Sequence, residues 1–282
     1  MFRLKNLNIL GSKAELAALP EGKLLINTIN AHSYNTARKD ELFAEALTNG
    51  DVLIPDGVSI VKACRWIKAK SLPKERIAGW DLFEFEMNKL EECGMKNVEC
   101  GVNGEECGMN NSSLDNSQSA SADHSKLKIQ NSCSGKRLYE PSAKFRERPL
   151  TVMFMGSSQK VLDLIVKRAA EVYPHLKIVT YSPPYKPEFS EEDNKAIVEA
   201  INAADPDLLW IGMTAPKQEK WTYSHWNELN IHCHVGTIGA VFDFFAGTVE
   251  RAPMWWQRHG LEWLYRLLKE PKRMWRRYII GN

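Results

Sequence analysis

The chain has 282 residues, of which 44% are hydrophobic and 26% are charged, which is enough apolar material for a large core and excludes disorder throughout. Its formal net charge of +2 hides an asymmetry, because residues 251–282 carry eight Lys and Arg against two Glu. That segment is therefore +6 and the remainder −4, which predicts an anionic partner for the segment, either lipid or nucleic acid.

The sequence shows neither a secretory leader pattern nor a run of about 18 apolar residues. We therefore expect a cytoplasmic protein. Its six cysteines lack any C-x-x-C pair, and a reducing cytosol disfavours disulfides, so free thiols are expected.

Short apolar runs alternate with amphipathic stretches along the chain. Strands are predicted at 23–27, 52–55, 151–155, 177–181, 208–212 and 231–235, and helices at 37–47, 58–69, 161–173, 191–203 and 216–229. Repeated units of this kind predict a doubly wound α/β fold, with a mostly parallel sheet and helices on both faces. Ligands bind such sheets beyond the carboxyl ends of the strands.

The stretch from Cys100 to Gly135 is rich in Ser, Asn and Gly and has neither helical nor strand periodicity. We interpret it as a disordered insertion. The predicted organisation is a catalytic domain over 1–250, interrupted by this insertion, and a basic C-terminal appendage over 251–282.

Several polar residues follow predicted strands. Asp56, with Gly57 behind it, either faces the ligand crevice or caps the next helix. Thr28 and Asn30 either bind sugar hydroxyls or form an Asx-type turn. Each interpretation is open on the sequence alone.

Two further segments bring cations toward the same crevice. Lys217 and Gln218 open a predicted helix after a strand, where exposed N–H groups suit a phosphate, although an ordinary capped helix start is the alternative. Arg76 precedes a glycine and suits a diphosphate through its planar fork, or forms a surface salt bridge.

Other patterns argue against common cofactors and metals. The chain has no G-x-G-x-x-G after a strand and no G-x-x-x-x-G-K-[ST]. Asp205-Pro206-Asp207 precedes its strand and is interpreted as a turn, and His232 and His234 lack a third metal ligand nearby in the sequence. We expect no metal and no cofactor.

The appendage combines tryptophans with arginines. Leu261, Leu264, Tyr265 and Leu268 have the spacing of one apolar helical face. Four arginines give the segment a basic character that suits an anionic membrane surface: Arg266, Arg273, Arg276 and Arg277. The alternatives are that the apolar face docks on the core and that the basic face binds nucleic acid or is solvated.

Six blocks resemble the WecG/TagA/CpsF glycosyltransferases of bacterial surface-polysaccharide assembly. They are INTINAHS, VLIPDGVSIV, RIAGWDLF, LLWIGMTAPKQEKW, GAVFDFFAGTVERAP and GLEWLYRLLKEPKRMWRRY. The chain departs from that family in the insertion and in having Gly156-Ser157-Ser158 where relatives tend to carry Gly-Gly.

The resemblance implies inverting, metal-free transfer from a UDP-sugar, often UDP-N-acetylmannosamine, to a polyprenyl-diphosphate-linked glycan acceptor. It implies that Asp56 is the base and that Asp243 contacts the nucleotide. Thr28, Asn30 and Gln218 match sugar-pocket positions, Arg76 matches a pocket arginine, and the appendage arginines match a membrane-targeting segment. The enzyme is then expected on the inner face of the plasma membrane, without nucleic acid; self-association is left open.

Two alternative functions belong to other classes of protein. One is a nucleic-acid-binding or scaffold protein that uses its basic tail. The other is a nucleotide-dependent epimerase or oxidoreductase on a similar sheet, against which the missing glycine fingerprint argues.

Overall fold

A computed structural model describes residues 2–103, 148–259 and 261–271. Six strands form one sheet, all parallel, in the order β2-β1-β6-β5-β3-β4. Their bounds are β1 Leu24–Ile29, β2 Val52–Pro55, β3 Thr151–Gly156, β4 Lys177–Tyr181, β5 Leu208–Gly212 and β6 His234–Thr237. The prediction of a doubly wound α/β fold is confirmed.

Ten α-helices occur in the described part of the chain. They are α1 Ala31–Ala37, α2 Glu41–Asn49, α3 Val58–Trp66, α4 Gly79–Asn103, α5 Gln159–Val172, α6 Glu191–Ala204, α7 Lys217–Ser224, α8 Gly239–Ala246, α9 Met254–Arg258 and α10 Glu262–Lys269. Short 3-10 helices span Leu4–Asn6, Lys13–Ala18 and Trp226–Glu228.

The central strands are apolar along their whole length because both faces of the sheet are covered. Every residue of β3 and β5 is buried. Phe154 packs into a cluster with α4, α5 and α8, whereas the next residue, Met155, packs into a cluster with α6 and α7. This alternation places one apolar core on each face and leaves the strand ends open for a ligand.

The predicted helix over 37–47 is wrong, since this stretch contains the end of α1 and most of α2. Asp40 lies between them in an extended conformation, and its carboxylate accepts a hydrogen bond from Phe43 N at 3.0 Å. A carboxylate in this position is a strong N-cap, which explains why a new helix starts here.

Helix α4 was not predicted, although it supplies Leu82, Phe83 and Met87 to the core. It continues to Asn103, so the first residues assigned to the disordered insertion are helical. The rest of that predicted insertion lies outside the described residues.

None of the helices in residues 2–103, 148–259 and 261–271 is long and apolar enough to cross a membrane.

Candidate active site

A cavity of about 1050 Å³ opens at the carboxyl end of the sheet. Residues at the end of, or directly after, all six strands line it: Thr28, Asn30, Asp56, Ser157, Ser182, Gly212 and Thr237. Polar residues that follow different strands in the sequence therefore meet in one cavity.

Asp56 lies at the cavity wall directly after β2 and is half-buried. Its backbone N–H donates to the carbonyl of Ile29 at 2.8 Å, which continues the pairing of β1 with β2 by one step. The N-cap residue of α3 is Gly57, directly after Asp56. The backbone thus holds this carboxylate beside the end of β1.

Thr28 and Asn30 also line the cavity, but they lie in different local structures. Thr28 is within β1, and Asn30 is the N-cap of α1, where its side chain accepts a hydrogen bond from Ser33 N at 3.0 Å. Asn30 is therefore a helix cap, a local structural role related to the predicted Asx-type turn. Asn30 has a structural role in the cavity wall.

Gln218 is buried at the cavity wall and joins two strand ends. Its Oε1 accepts hydrogen bonds from Met213 N at 3.1 Å and from Gly239 N at 3.2 Å. Its Nε2 donates to Glu219 Oε1 at 2.9 Å. Gln218 therefore fixes the loops after β5 and β6 relative to each other.

Lys217 lines the cavity but extends toward the loop after β4. Its Nζ donates to the carbonyl of Lys186 at 2.5 Å and lies 3.4 Å from the centroid of the Phe189 ring. Burial lowers the pKa of Lys217, and the negative charge of Asp193 opposes part of that effect. This arrangement ties the loop after β4 to the start of α7.

Arg76 lies at the side of the cavity that the C-terminal segment covers. Its Nη1 is 3.0 Å from Glu262 Oε2 in α10, and both side chains are mostly buried. The salt-bridge interpretation is thus correct for Arg76, although the pair lies in the cavity wall. Arg251 and Trp263 line the same side.

Asp243 lines the cavity from the second turn of α8. The Oγ1 of Thr248 donates to the Asp243 carbonyl at 3.1 Å. A carboxylate in this place can accept hydrogen bonds from a ribose or a base, as the sequence comparison predicts.

Helices begin at this cavity beneath several of the strand ends. Gly57, Ser158 and Ile238 are the N-caps of α3, α5 and α8, and all three line the cavity. Unpaired N–H groups and the helix dipole make such N-termini favourable for an anion. Together with Arg76, Arg251 and Lys217 they favour a ligand that carries phosphate.

The turn after β3 keeps a glycine-like conformation although it contains serine. Ser157 has φ +60, in the left-handed region, and follows Gly156 at φ +117. A Cβ at position 156 would collide with the backbone of Gly212. The backbone therefore stays close at this turn, with Ser157 in a conformation that glycine adopts more readily.

The other polar motifs have structural roles away from the cavity. Asp205 ends α6 in the left-handed conformation, and Arg148 binds both Asp205 and Asp207, at 3.0 Å each. The imidazole of His234 contacts Glu86 and the carbonyl of Pro20. No group of three metal-ligating side chains occurs in the described part of the chain; whether the reaction needs a metal stays a prediction.

The cysteines and the appendage arginines are only partly described. Cys64 and Cys233 are buried free thiols and Cys93 is an exposed one. Burial, followed by the charges of Asp207 and Asp205, raises the pKa of Cys233 to about 12. Arg266 is in α10, with its side chain outside the described atoms, and Arg273, Arg276 and Arg277 lie outside the described residues.

Sequence reasoning did not select Arg251, Glu262 or Ser182 as cavity residues. Arg251 lies within the block GAVFDFFAGTVERAP, and Glu262 lies within the last block. Their position in two blocks of resemblance was the signal that could have identified them.

A family model described as "Glycosyl transferase WecG/TagA/CpsF family" matches residues 3–109 and 119–282. The chain is also similar to curated proteins named N-acetylglucosaminyldiphosphoundecaprenol N-acetyl-beta-D-mannosaminyltransferase. One from Bacillus subtilis strain 168 is 25% identical over 255 residues, which cover 90% of this chain and 75% of the relative. One from Bacillus spizizenii strain W23 is 26% identical over 269 residues, which cover 95% and 80%.

Proposed function

Since the chain belongs to the WecG/TagA/CpsF family of glycosyl transferases, we propose that it transfers an N-acetylmannosamine-type sugar from UDP to a polyprenyl-diphosphate-linked acceptor. Family membership makes the chain a hexosyltransferase. Family membership therefore argues against a nucleic-acid-binding or scaffold protein and against an epimerase or oxidoreductase.

The acceptor part of the proposal is supported by the relatives' names. Both Bacillus proteins are named for transfer of N-acetylmannosamine to N-acetylglucosaminyldiphosphoundecaprenol, and they match 90% and 95% of this chain. A lipid-linked diphosphate acceptor is therefore the chemistry that we propose here. Those names do not include the donor, so UDP is proposed from the site and from the family resemblance.

The observation that carries the proposal is the presence of a carboxylate at a strand end in the same cavity as several cations and helix N-termini. Asp56 lies at the end of β2, and Arg76, Arg251, Lys217 and the N-termini of three helices line the same cavity. A base together with groups that stabilise a diphosphate is what a displacement at an anomeric carbon requires.

In the proposed mechanism Asp56 accepts the proton from the acceptor hydroxyl as its oxygen attacks the anomeric carbon. The bond to the UDP oxygen breaks on the opposite face, so the configuration inverts. The negative charge that develops on the departing diphosphate is stabilised by the cationic groups and the helix N-termini. Gln218 holds the wall of the sugar pocket rigid through its two accepted hydrogen bonds.

The C-terminal segment is proposed to bring this cavity to an anionic membrane. Met254 and Trp255 of α9 and Leu268 of α10 are exposed by 58 to 65%, beside the cavity wall to which Glu262 and Trp263 contribute. Apolar side chains among arginines suit the headgroup layer, where each basic residue contributes about 1 kcal/mol. A lipid-linked acceptor would then reach the cavity from that side.

The function is tested by measuring nucleotide release across a panel of UDP-sugars with a short-chain lipid-diphosphate N-acetylglucosamine acceptor. We expect acceptor-dependent UDP release with UDP-N-acetylmannosamine and a product with the inverted anomeric configuration. Omission of the acceptor is the control for hydrolysis. Equal release with and without the acceptor for every donor would reject the transferase assignment of this substrate pair.

A further inference from the structure

Two arginines share one carboxylate where the C-terminal segment meets the cavity. Arg76 Nη1 lies 3.0 Å from Glu262 Oε2, and Arg251 Nε lies 3.8 Å from the other oxygen, Oε1. The three side chains are exposed by only 17 to 22%, and all three line the cavity. Within this group, one negative charge therefore lies between two positive charges in a mostly buried place.

The guanidinium group of Arg251 packs on an aromatic ring, but one of its N–H donors lacks an acceptor among the described residues. Its guanidinium carbon lies 5.3 Å from the centroid of the Trp80 ring, and the neighbouring Ala252 is buried. Its Nε is buried and, among the described residues, has no hydrogen-bond partner, since 3.8 Å exceeds hydrogen-bond length. Buried donors are normally paired, so this nitrogen has an unused capacity to donate to an acceptor oxygen.

The carboxylate of Glu262 belongs to a helix that makes limited contact with the other described helices and strands. Glu262 is the first residue of α10, which contacts α9 more than any other described helix or strand. Guanidinium groups bind carboxylate and phosphate oxygens through the same planar fork. A carboxylate between two guanidinium groups can thus take the place of a phosphate.

We propose that Arg76 and Arg251 form a diphosphate subsite and that Glu262 is the internal anion that occupies it in the ligand-free chain. Binding of a diphosphate displaces Glu262 and releases α10 from the cavity wall. The inference rests on the proposed function in that both substrates of that reaction carry a diphosphate. The ligand is either the nucleotide diphosphate or the lipid-linked one.

The contrary interpretation is that Glu262 only anchors α10. The two interpretations differ in sign: an internal competitor weakens diphosphate binding, whereas a structural anchor that orders the cavity wall strengthens it. Removal of the charge with retention of the side-chain shape separates them.

The test measures inorganic pyrophosphate binding to the full chain by titration calorimetry. We expect Glu262→Gln to tighten binding by at least threefold. The control is Glu250→Gln, which removes the same charge at the residue just before the appendage. Glu250 is 82% exposed, does not line the cavity and lies 3.9 Å from Lys269 in α10. Unchanged or weaker binding by Glu262→Gln, or equal tightening by Glu250→Gln, would overturn the proposal.

The second cation and the source of the diphosphate are tested in the same format. Arg251→Gln should weaken pyrophosphate binding by at least threefold, and unchanged affinity would remove Arg251 from the subsite. Titrations of Glu262→Gln with UDP and with farnesyl diphosphate distinguish the sources. The ligand whose affinity rises is the one assigned to the subsite, and no rise for either contradicts the proposal.

Hydrogen exchange of the wild-type chain keeps the proposal testable if a variant does not fold. Saturating pyrophosphate should accelerate exchange of the amides in α10, and unchanged or slower exchange would count against displacement. These measurements need no sugar transfer. Suppose that Glu262→Gln binds pyrophosphate more tightly but the wild-type chain transfers no sugar. The proposed function would then be rejected, and the diphosphate subsite would be retained.

Discussion

The side-chain oxygen of Gln218 accepts a hydrogen bond from the backbone N–H of Gly239 at 3.2 Å, which joins the first turn of α7 to the first turn of α8. The same oxygen accepts from Met213 N, so one buried side chain satisfies two backbone donors. Two neighbouring strands thereby present their ends to the cavity in a fixed relative position.

Gln218→Ala should lower the free energy of unfolding by about 1–3 kcal/mol, because it leaves buried N–H groups without their acceptor. Urea unfolding followed by circular dichroism measures the change. Gln159→Ala is the control, since Gln159 is exposed and its side chain donates to Asp163 on the surface of the same helix. An equal loss in both variants would show that the two backbone contacts of Gln218 do not matter for stability.

Much of the fold could be predicted because the central strands are covered on both faces. The predicted strands at 177–181 and 208–212 coincide with β4 and β5, whose apolar runs have clear ends. Helix α4 was missed because its apolar residues are interleaved with charged ones. The start of the segment was interpreted instead through Arg76 and Asp81, as candidate site residues. The break between α1 and α2 depends on one capping bond from Asp40 that a spacing argument does not register.

The cavity residues that follow strands could be predicted, because their position at the carboxyl end of the sheet does not depend on the order of the strands. Any parallel sheet places Thr28, Asp56 and Gln218 at its carboxyl end, whatever the order of the strands. Glu262 was not predictable in this way, because its contact with Arg76 spans 186 positions and depends on where the appendage folds back. Such a contact requires three-dimensional packing and leaves no local pattern.

His234 and Glu86 form a buried pair, with His234 Nδ1 2.9 Å from Glu86 Oε1. Burial alone would lower the pKa of His234, but the hydrogen bond to Glu86, the charge of Glu86 and the carbonyl of Pro20 outweigh burial. The positive charge of Lys89 opposes them weakly. The net result holds the pKa of His234 above its ordinary value.

A raised folded-state pKa means that His234 stabilises the fold when protonated. The contribution is fully present below the unfolded-state pKa of about 6.5 and is lost as the pH rises through the folded-state pKa. We expect the difference in unfolding free energy between wild type and His234→Gln to shrink as the pH rises from 6 to 9. Urea unfolding at each pH measures this difference, and a difference that does not shrink would contradict stabilisation by protonated His234.

The left-handed backbone of Ser157 predicts a position that rejects β-branched side chains. Ser157→Val should destabilise the chain by about 1–3 kcal/mol, whereas Ser157→Gly should be neutral or slightly stabilising. Thermal unfolding measures both. Ser158→Val is the matched control, because Ser158 has an extended backbone and makes no side-chain capping bond; similar losses at both positions would argue against strain at Ser157.

Asp56→Asn should lower kcat by roughly 10²- to 10⁴-fold, because the amide keeps the shape of the side chain but cannot accept the proton. UDP affinity should stay within about threefold, since the backbone contact of Asp56 with Ile29 and the cations of the cavity wall are unchanged. Single-turnover kinetics and UDP titration measure the two quantities separately. A variant with near-normal kcat would remove Asp56 from the role of base.

Asp243→Asn is the comparison that separates chemistry from nucleotide binding at the same cavity. Asp243 is also a half-buried carboxylate, but it extends from α8 and is proposed to contact the nucleotide. Loss of one charged acceptor costs about 1.5–3 kcal/mol, so we expect KM for the UDP-sugar to rise by an order of magnitude or more with a smaller change in kcat. If Asp56 is the base, the two variants should therefore differ in which constant changes: mainly kcat for Asp56→Asn and mainly KM for Asp243→Asn.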